Sequence, residues 1–127
     1  MGVFKEHANA FESVARKQKR IYNDAADYGY PYNTKNVPED IKLLLHYVND
    51  LKDTSLMRSR KEWGTGENAG VEITIRIGWE IDEGREHGTE YKISFHRLAK
   101  HPSNLHPEAN AFISVYVENY SEPYKNR

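Results

Sequence analysis

Three side chains in this sequence are of types suited to phosphoryl or proton-transfer chemistry: Arg76, His96 and Tyr116. An arginine clamps a phosphate, a histidine moves a proton near neutral pH, and a tyrosine positions a reacting group. Each lies at an outward position of a segment that alternates apolar and polar residues, so aligned strands would bring all three to one sheet face. The competing reading is a solvated face, on which Arg76 and His96 alternate with glutamates and lysines for solubility.

Other candidate constellations are weaker. His96, His101 and His106 recur every fifth residue, with Glu108 close behind. Zinc accepts histidine and carboxylate, but that spacing in a proline-containing loop fixes no coordination geometry, so neither a metal nor a cofactor is expected. The stretch Gly64-Thr65-Gly66-Glu67-Asn68-Ala69-Gly70 precedes a strand. A phosphate loop opens a helix, so this stretch reads as a flexible connection.

Two surfaces suit binding. Arg16, Lys17, Lys19 and Arg20, together with Arg58, Arg60 and Lys61, make one positive patch if the ends of the two helical segments lie together. Tyr22 and Trp63 would then add stacking for single-stranded nucleic acid. Acidic neighbours such as Asp50, Asp53 and Glu62 fit a solvated helix face instead. In an extended segment Tyr28, Tyr30 and Tyr32 project to one side, giving a rigid amphipathic surface of the kind enriched at protein interfaces. The alternative is a loop folded over the open edge of its own core.

The elements that must position these residues are legible from periodicity. Phe4, Ala8, Phe11, Val14, Ala15 and Ile21 form an apolar stripe that predicts a helix over about 3–22. Ile41, Leu44, Leu45, Val48 and Leu51 predict a second over about 38–53, with Asn36 as N-cap and Glu39 as its capping-box partner. Residues 54–63 fit either a continuation of that helix or a short edge strand. From Val71 the period becomes two. Strands are predicted over about 71–81, 89–98 and 111–120, with Ile73, Ile75, Ile77 and Ile81 inward on the first. The favoured register sets Ile81 opposite Tyr91, Glu80 opposite Lys92 and Arg76 opposite His96. The expected fold is one α+β domain over 1–127, with two N-terminal helices packed on one face of a three- to four-stranded antiparallel meander.

An antiparallel sheet backed by helices and carrying Arg76, His96 and Tyr116 resembles, in outline, the bacterial toxin ribonucleases of the RelE type. The resemblance implies RNA cleavage as an alternative function. Those toxins begin with a strand and are strongly basic. This chain begins with a helical stripe and has a net charge of −1, so no residue role is carried over.

Composition narrows the classes further. With 18 basic against 19 acidic side chains and a pI near 6.6, the chain lacks the basic excess of a dedicated nucleic-acid binder and the acid excess of a DNA mimic. It has no cysteine, which excludes disulfides, thiolate metal sites and cysteine nucleophiles. The first residues lack the apolar run of a secretion signal, and nothing is long and apolar enough to span a membrane, so a cytoplasmic location is expected. The leading expectation is a small non-catalytic interaction protein, an inhibitor or adaptor of the kind made by phages and mobile elements. Its partner would be another protein, bound through Tyr28, Tyr30 and Tyr32, a sheet edge, or the face carrying Arg76, His96 and Tyr116. Nucleic-acid binding through the basic run is the second expectation, and phosphodiester hydrolysis is the third.

Overall fold

A computed structural model describes residues 2–21, 29–65, 69–97 and 109–124, with the side chains at 2–4, 19–21 and 79 outside that description. Helix α1 (Gly2–Ile21) is followed by strand β1 (Tyr30–Tyr32) and helix α2 (Glu39–Leu51). Strands β2 (Met57–Trp63), β3 (Gly70–Asp82), β4 (Arg85–Arg97) and β5 (Ala111–Pro123) complete the order. All five strands form one antiparallel sheet in the order β1-β5-β4-β3-β2. The α+β class and the β2-to-β5 meander agree with the expectation. The sheet has five strands rather than three or four, because residues 57–63 form an edge strand and part of the tyrosine segment forms β1.

Helix α1 buries Ala10, Phe11, Val14 and Ala15 on one stripe. The same stripe continues through two buried polar residues, His7 and Gln18. His7 Nε2 lies 2.7 Å from Asp50 Oδ2, and its ring is 4.4 Å from that of Tyr47, which ties α1 to α2. Helix α2 buries Ile41, Leu44, Val48 and Leu51. Its N-cap is Pro38, with no side-chain capping bond, so the expected Asn36 cap is not used. Asn36 instead closes a tight turn, donating its N–H to the Asn33 carbonyl at 3.0 Å. Glu39 and Asp40 in the first turn suit the positive end of the helix dipole. The helix stops where the Thr54 hydroxyl donates to the Leu51 carbonyl at 2.8 Å.

The sheet register differs from the expected one. Ile75 pairs with Tyr91, Arg76 with Glu90, and His96 with Gly70 on one side and Phe112 on the other. Glu80 faces His87, and Lys92 faces Thr74 and Tyr116. Two local features set this register. Glu83 and Gly84 have φ of 51° and 74°, the left-handed pair that lets a two-residue turn match strand twist. Asp82 therefore meets Arg85 directly, and the hairpin is much tighter than a loop over 82–88. Close by, β3 carries an irregularity between Ile77 and Glu80, where Gly78 has φ of 70°. The extra residue inverts the alternation. Ile81, expected inward, is paired with Glu86 and is 49% exposed.

One core joins the helices to the sheet. Phe11, Val14, Ile41, Leu44 and Leu51 cluster with Ile73, Ile75, Ile77, Tyr91, Ile93, Ile113 and Val115. These sheet residues are all odd-numbered, so the even-numbered residues of β3, β4 and β5 occupy the opposite, outward face wherever the pairing is regular. Among the described residues, no helix is long and apolar enough to cross a membrane.

Candidate interaction face

The outward face is built from rows of residues that the register sets side by side. At one end, Trp63 on β2 pairs with Gly70 on β3, Gly70 with His96 on β4, and His96 with Phe112 on β5. The His96 and Phe112 rings stack at 4.4 Å and 9°, and Trp63 meets His96 edge-on at 5.3 Å. Gly70 makes this row possible. A Cβ there would fall 2.4 Å from Trp63 Cζ2, so the indole lies directly on the glycine backbone. Gly29 does the same for Phe112, where a Cβ would fall 2.3 Å from Cδ2. Burial lowers the His96 pKa below its usual 6.5, against a smaller opposing pull from Glu72. The ring in the middle of the row is therefore neutral at neutral pH.

At the other end lies an arginine held by carboxylates. Arg76 Nε donates to Glu90 at 2.8 Å, and its two terminal nitrogens donate to Glu122 at 2.6 and 3.2 Å. Glu86 is 3.7 Å away, and it accepts the Tyr120 hydroxyl at 2.8 Å. The guanidinium carbon sits 4.1 Å over the Tyr120 ring. The Glu122 hydrogen bonds, and then those to Glu90, raise the Arg76 pKa further, outweighing partial burial. Burial, and then Glu86, push the Tyr120 hydroxyl up to about 12. Between the two ends run Lys61, Glu72, Thr74, Lys92 and Tyr116. Tyr116 is 58% exposed and Trp63 is 40% exposed.

This geometry separates residues that the sequence reading placed together. Arg76 lies opposite Glu90, six positions along β4 from His96, which at about 3.3 Å per residue is about 20 Å. The two cannot clamp one phosphate, and every guanidinium nitrogen of Arg76 already faces a carboxylate. Tyr116 pairs with Lys92, between them. Arg76, His96 and Tyr116 share a face without converging on one point.

The tyrosine segment is also placed differently. Tyr28 lies outside the described residues. Tyr30 and Tyr32 pair with Ile113 and Ala111 on β5 and pack against the core. Burial raises the pKa of both hydroxyls. The structure uses these two rings to cover its own sheet edge, the alternative weighed from the sequence.

The described basic side chains do not assemble into one patch. Lys17 pairs with Asp40 at 2.7 Å, and the neighbouring Gln18 binds β5. Lys17 thus lies towards the β1–β5 side, whereas Arg58, Arg60 and Lys61 are on β2, the opposite edge. The side chains of Lys19 and Arg20 are outside the description. His101, His106 and Glu108 of the histidine series are outside it too. Among the described residues, no group of three His, Asp or Glu side chains could hold a metal ion.

The chain matches no protein-family model. No curated protein and no solved structure matches it either. Its function must be read from its own surfaces.

Sequence reasoning assigned Trp63 to stacking beside the basic run rather than to a row with His96 and Phe112, and it missed the three glutamates around Arg76. The alternation of β5 does place Phe112 outward, and Gly70 opposite a tryptophan is a signal that a ring lies on the sheet. Neither becomes readable without the register.

Proposed function

We propose that this protein is a non-catalytic binding module that docks another protein on the outward face of its sheet. The observation that carries this reading is the pair of large aromatic side chains, Trp63 and Tyr116, left exposed on a face whose other rings are fixed in place. Interfaces draw their energy from such rigid aromatic anchors ringed by polar groups. The Arg76 network adds an ordered polar surface that loses little entropy on contact.

Charge gives the partner's chemistry. Glu72, Glu86, Glu90, Glu118 and Glu122 share the face with Lys61, Arg76, Lys92 and Arg58, the last within electrostatic reach of Tyr120. That carboxylate excess favours a basic protein surface and disfavours a phosphate backbone. The separation of Arg76 from His96 likewise supports binding over phosphodiester hydrolysis.

The test is capture from the native host by the immobilised full chain, compared with Tyr116→Ser and with Glu118→Lys. A stoichiometric protein retained by wild type and lost with both variants supports the reading. Retention of the same protein by both variants, or recovery of nucleic acid alone, overturns it.

A further inference from the structure

The edge of the sheet formed by β2 differs in character from the outward face. Arg76 donates its N–H to the Leu56 carbonyl at 3.0 Å, so the even residues of β3 turn their backbone groups towards β2. By alternation, Ser59, Lys61 and Trp63 bond to β3, while Arg60 and Glu62 turn their N–H and C=O to the open side. Among the described residues, no strand pairs with that side.

Below this edge, on the helix side, is a groove of about 210 Å³ between α2 and the sheet. It exists because α2 leans on α1 rather than reaching across to β2. Leu45, Met57, Val71 and Phe95 line it and are only partly buried. Its rim is basic. Lys52 and Arg60 border the groove, while Lys61 and Arg58 stand on the other face of the same edge strand, Lys61 paired in register with Glu72 and Arg58 within electrostatic reach of Tyr120. Of these four, only Arg60 has a carboxylate within salt-bridge distance among the described residues, Glu62 at 2.8 Å. Asp53 is the other nearby acid.

We propose that β2 is a docking edge for an extended acidic segment of another protein, which adds as a further strand and seats apolar side chains in this groove. Strand addition draws affinity from main-chain hydrogen bonds and selectivity from alternate side chains. Cations on an exposed edge deter pairing with neutral or basic strands. The same cations select a strand whose polar positions are aspartate or glutamate. Charge complementarity therefore names the occupant, while the groove explains why every second residue must be apolar. This site adjoins the outward face, since Lys61 and Trp63 lie on the same strand, but it does not involve Tyr116 on β5.

The test uses a short fluorescein-labelled peptide alternating glutamate with valine, a lysine–valine counterpart, and a scrambled acidic peptide of the same composition. Binding to the full chain is followed by anisotropy at low and high salt. The alternating acidic peptide is expected to bind, the other two are not, and added salt should weaken the complex. Glu62→Pro removes an edge N–H without touching the β3 bonds, and is expected to weaken binding about tenfold, whereas Glu62→Ala is not. Lys52→Glu combined with Arg58→Glu should weaken it by a similar factor. Thermal melts confirm that each variant is folded. Tyr116→Ser, on the outward face, leaves peptide binding unchanged, so failure here is distinguishable from failure of the proposed function. No binding by the alternating acidic peptide, equal binding by the lysine peptide, or full binding by Glu62→Pro overturns the proposal. So does self-association that Glu62→Pro abolishes, which would assign the edge to a second copy of this chain.

Discussion

The Gln18 carboxamide pairs with the backbone of Val115 as a strand would. Its Nε2 donates to the Val115 carbonyl at 2.8 Å, and its Oε1 accepts the Val115 N–H at 2.9 Å. β1 ends its pairing with β5 at Ile113. One buried side chain from α1 thus continues the ladder for one more residue and closes the sheet edge against the helix. Replacing it with leucine keeps the bulk and leaves a buried N–H and C=O unpaired, a cost of about 2–4 kcal/mol. Gln18→Leu should lower the denaturant midpoint accordingly. Gln18→Glu should recover part of the loss at most, since a carboxylate can accept the N–H but cannot donate to the carbonyl. A midpoint unchanged in Gln18→Leu would show that the clasp contributes no stability.

Arg76 is the cation bonded to both Glu90 and Glu122 and lying 3.7 Å from Glu86, while Lys92 Nζ stands 3.9 Å from the far oxygen of Glu90. Glu90 is 7% exposed, so its charge depends on the pairing. Arg76→Gln leaves converging carboxylates and should cost about 2–4 kcal/mol at neutral pH, Glu90 dominating because Glu122 is more exposed. The carboxylates of the variant repel one another, so its native state takes up protons more readily than its unfolded chain. Its stability deficit should therefore shrink as pH falls from 7 towards 5. Denaturant unfolding across that range checks this, and a deficit that is constant with pH would contradict the proposed origin.

His96 titrates below its ordinary 6.5 because burial disfavours its charged form. Between the native and unfolded midpoints the unfolded chain binds the extra proton, so stability rises with pH there. The contribution is present above about pH 6.5 and is lost as the solution is acidified through the native midpoint. Proton NMR should place the His96 midpoint below that of the unfolded peptide. His96→Phe should remove this part of the acid sensitivity. A midpoint at or above 6.5 would refute the burial argument.

Gly70 lies under the Trp63 indole, with no room for a methyl group. Trp63 is on an edge strand and partly exposed, so Gly70→Ala should displace the ring rather than unfold the sheet. The expected stability loss is about 1 kcal/mol. Tryptophan fluorescence should shift, and binding of the proposed protein partner to the outward face should be lost. An unshifted spectrum would mean that the indole does not rest there.

The elements were readable from one dimension of information. Helix α1 appears in the spacing of Phe11, Val14 and Ala15, and β3 in the alternation of Ile73, Ile75 and Ile77, because burying one face imposes a period on the chain. Segment 57–63 stayed ambiguous, since its charges obscure any period, and the three-residue β1 is too short to show one.

What the order of residues determined by itself was local: which stretches are helical or extended, and which side of each is apolar. Tertiary structure alone decided which outward residues are neighbours. Register depends on one extra residue near Gly78 and on two left-handed residues at 83–84, and a change of one position re-pairs every row beyond it. That is why Arg76 faces Glu90 instead of His96. It is also why a glutamine spaced as part of a helical core stripe becomes, 97 residues from its partner, a substitute for a strand.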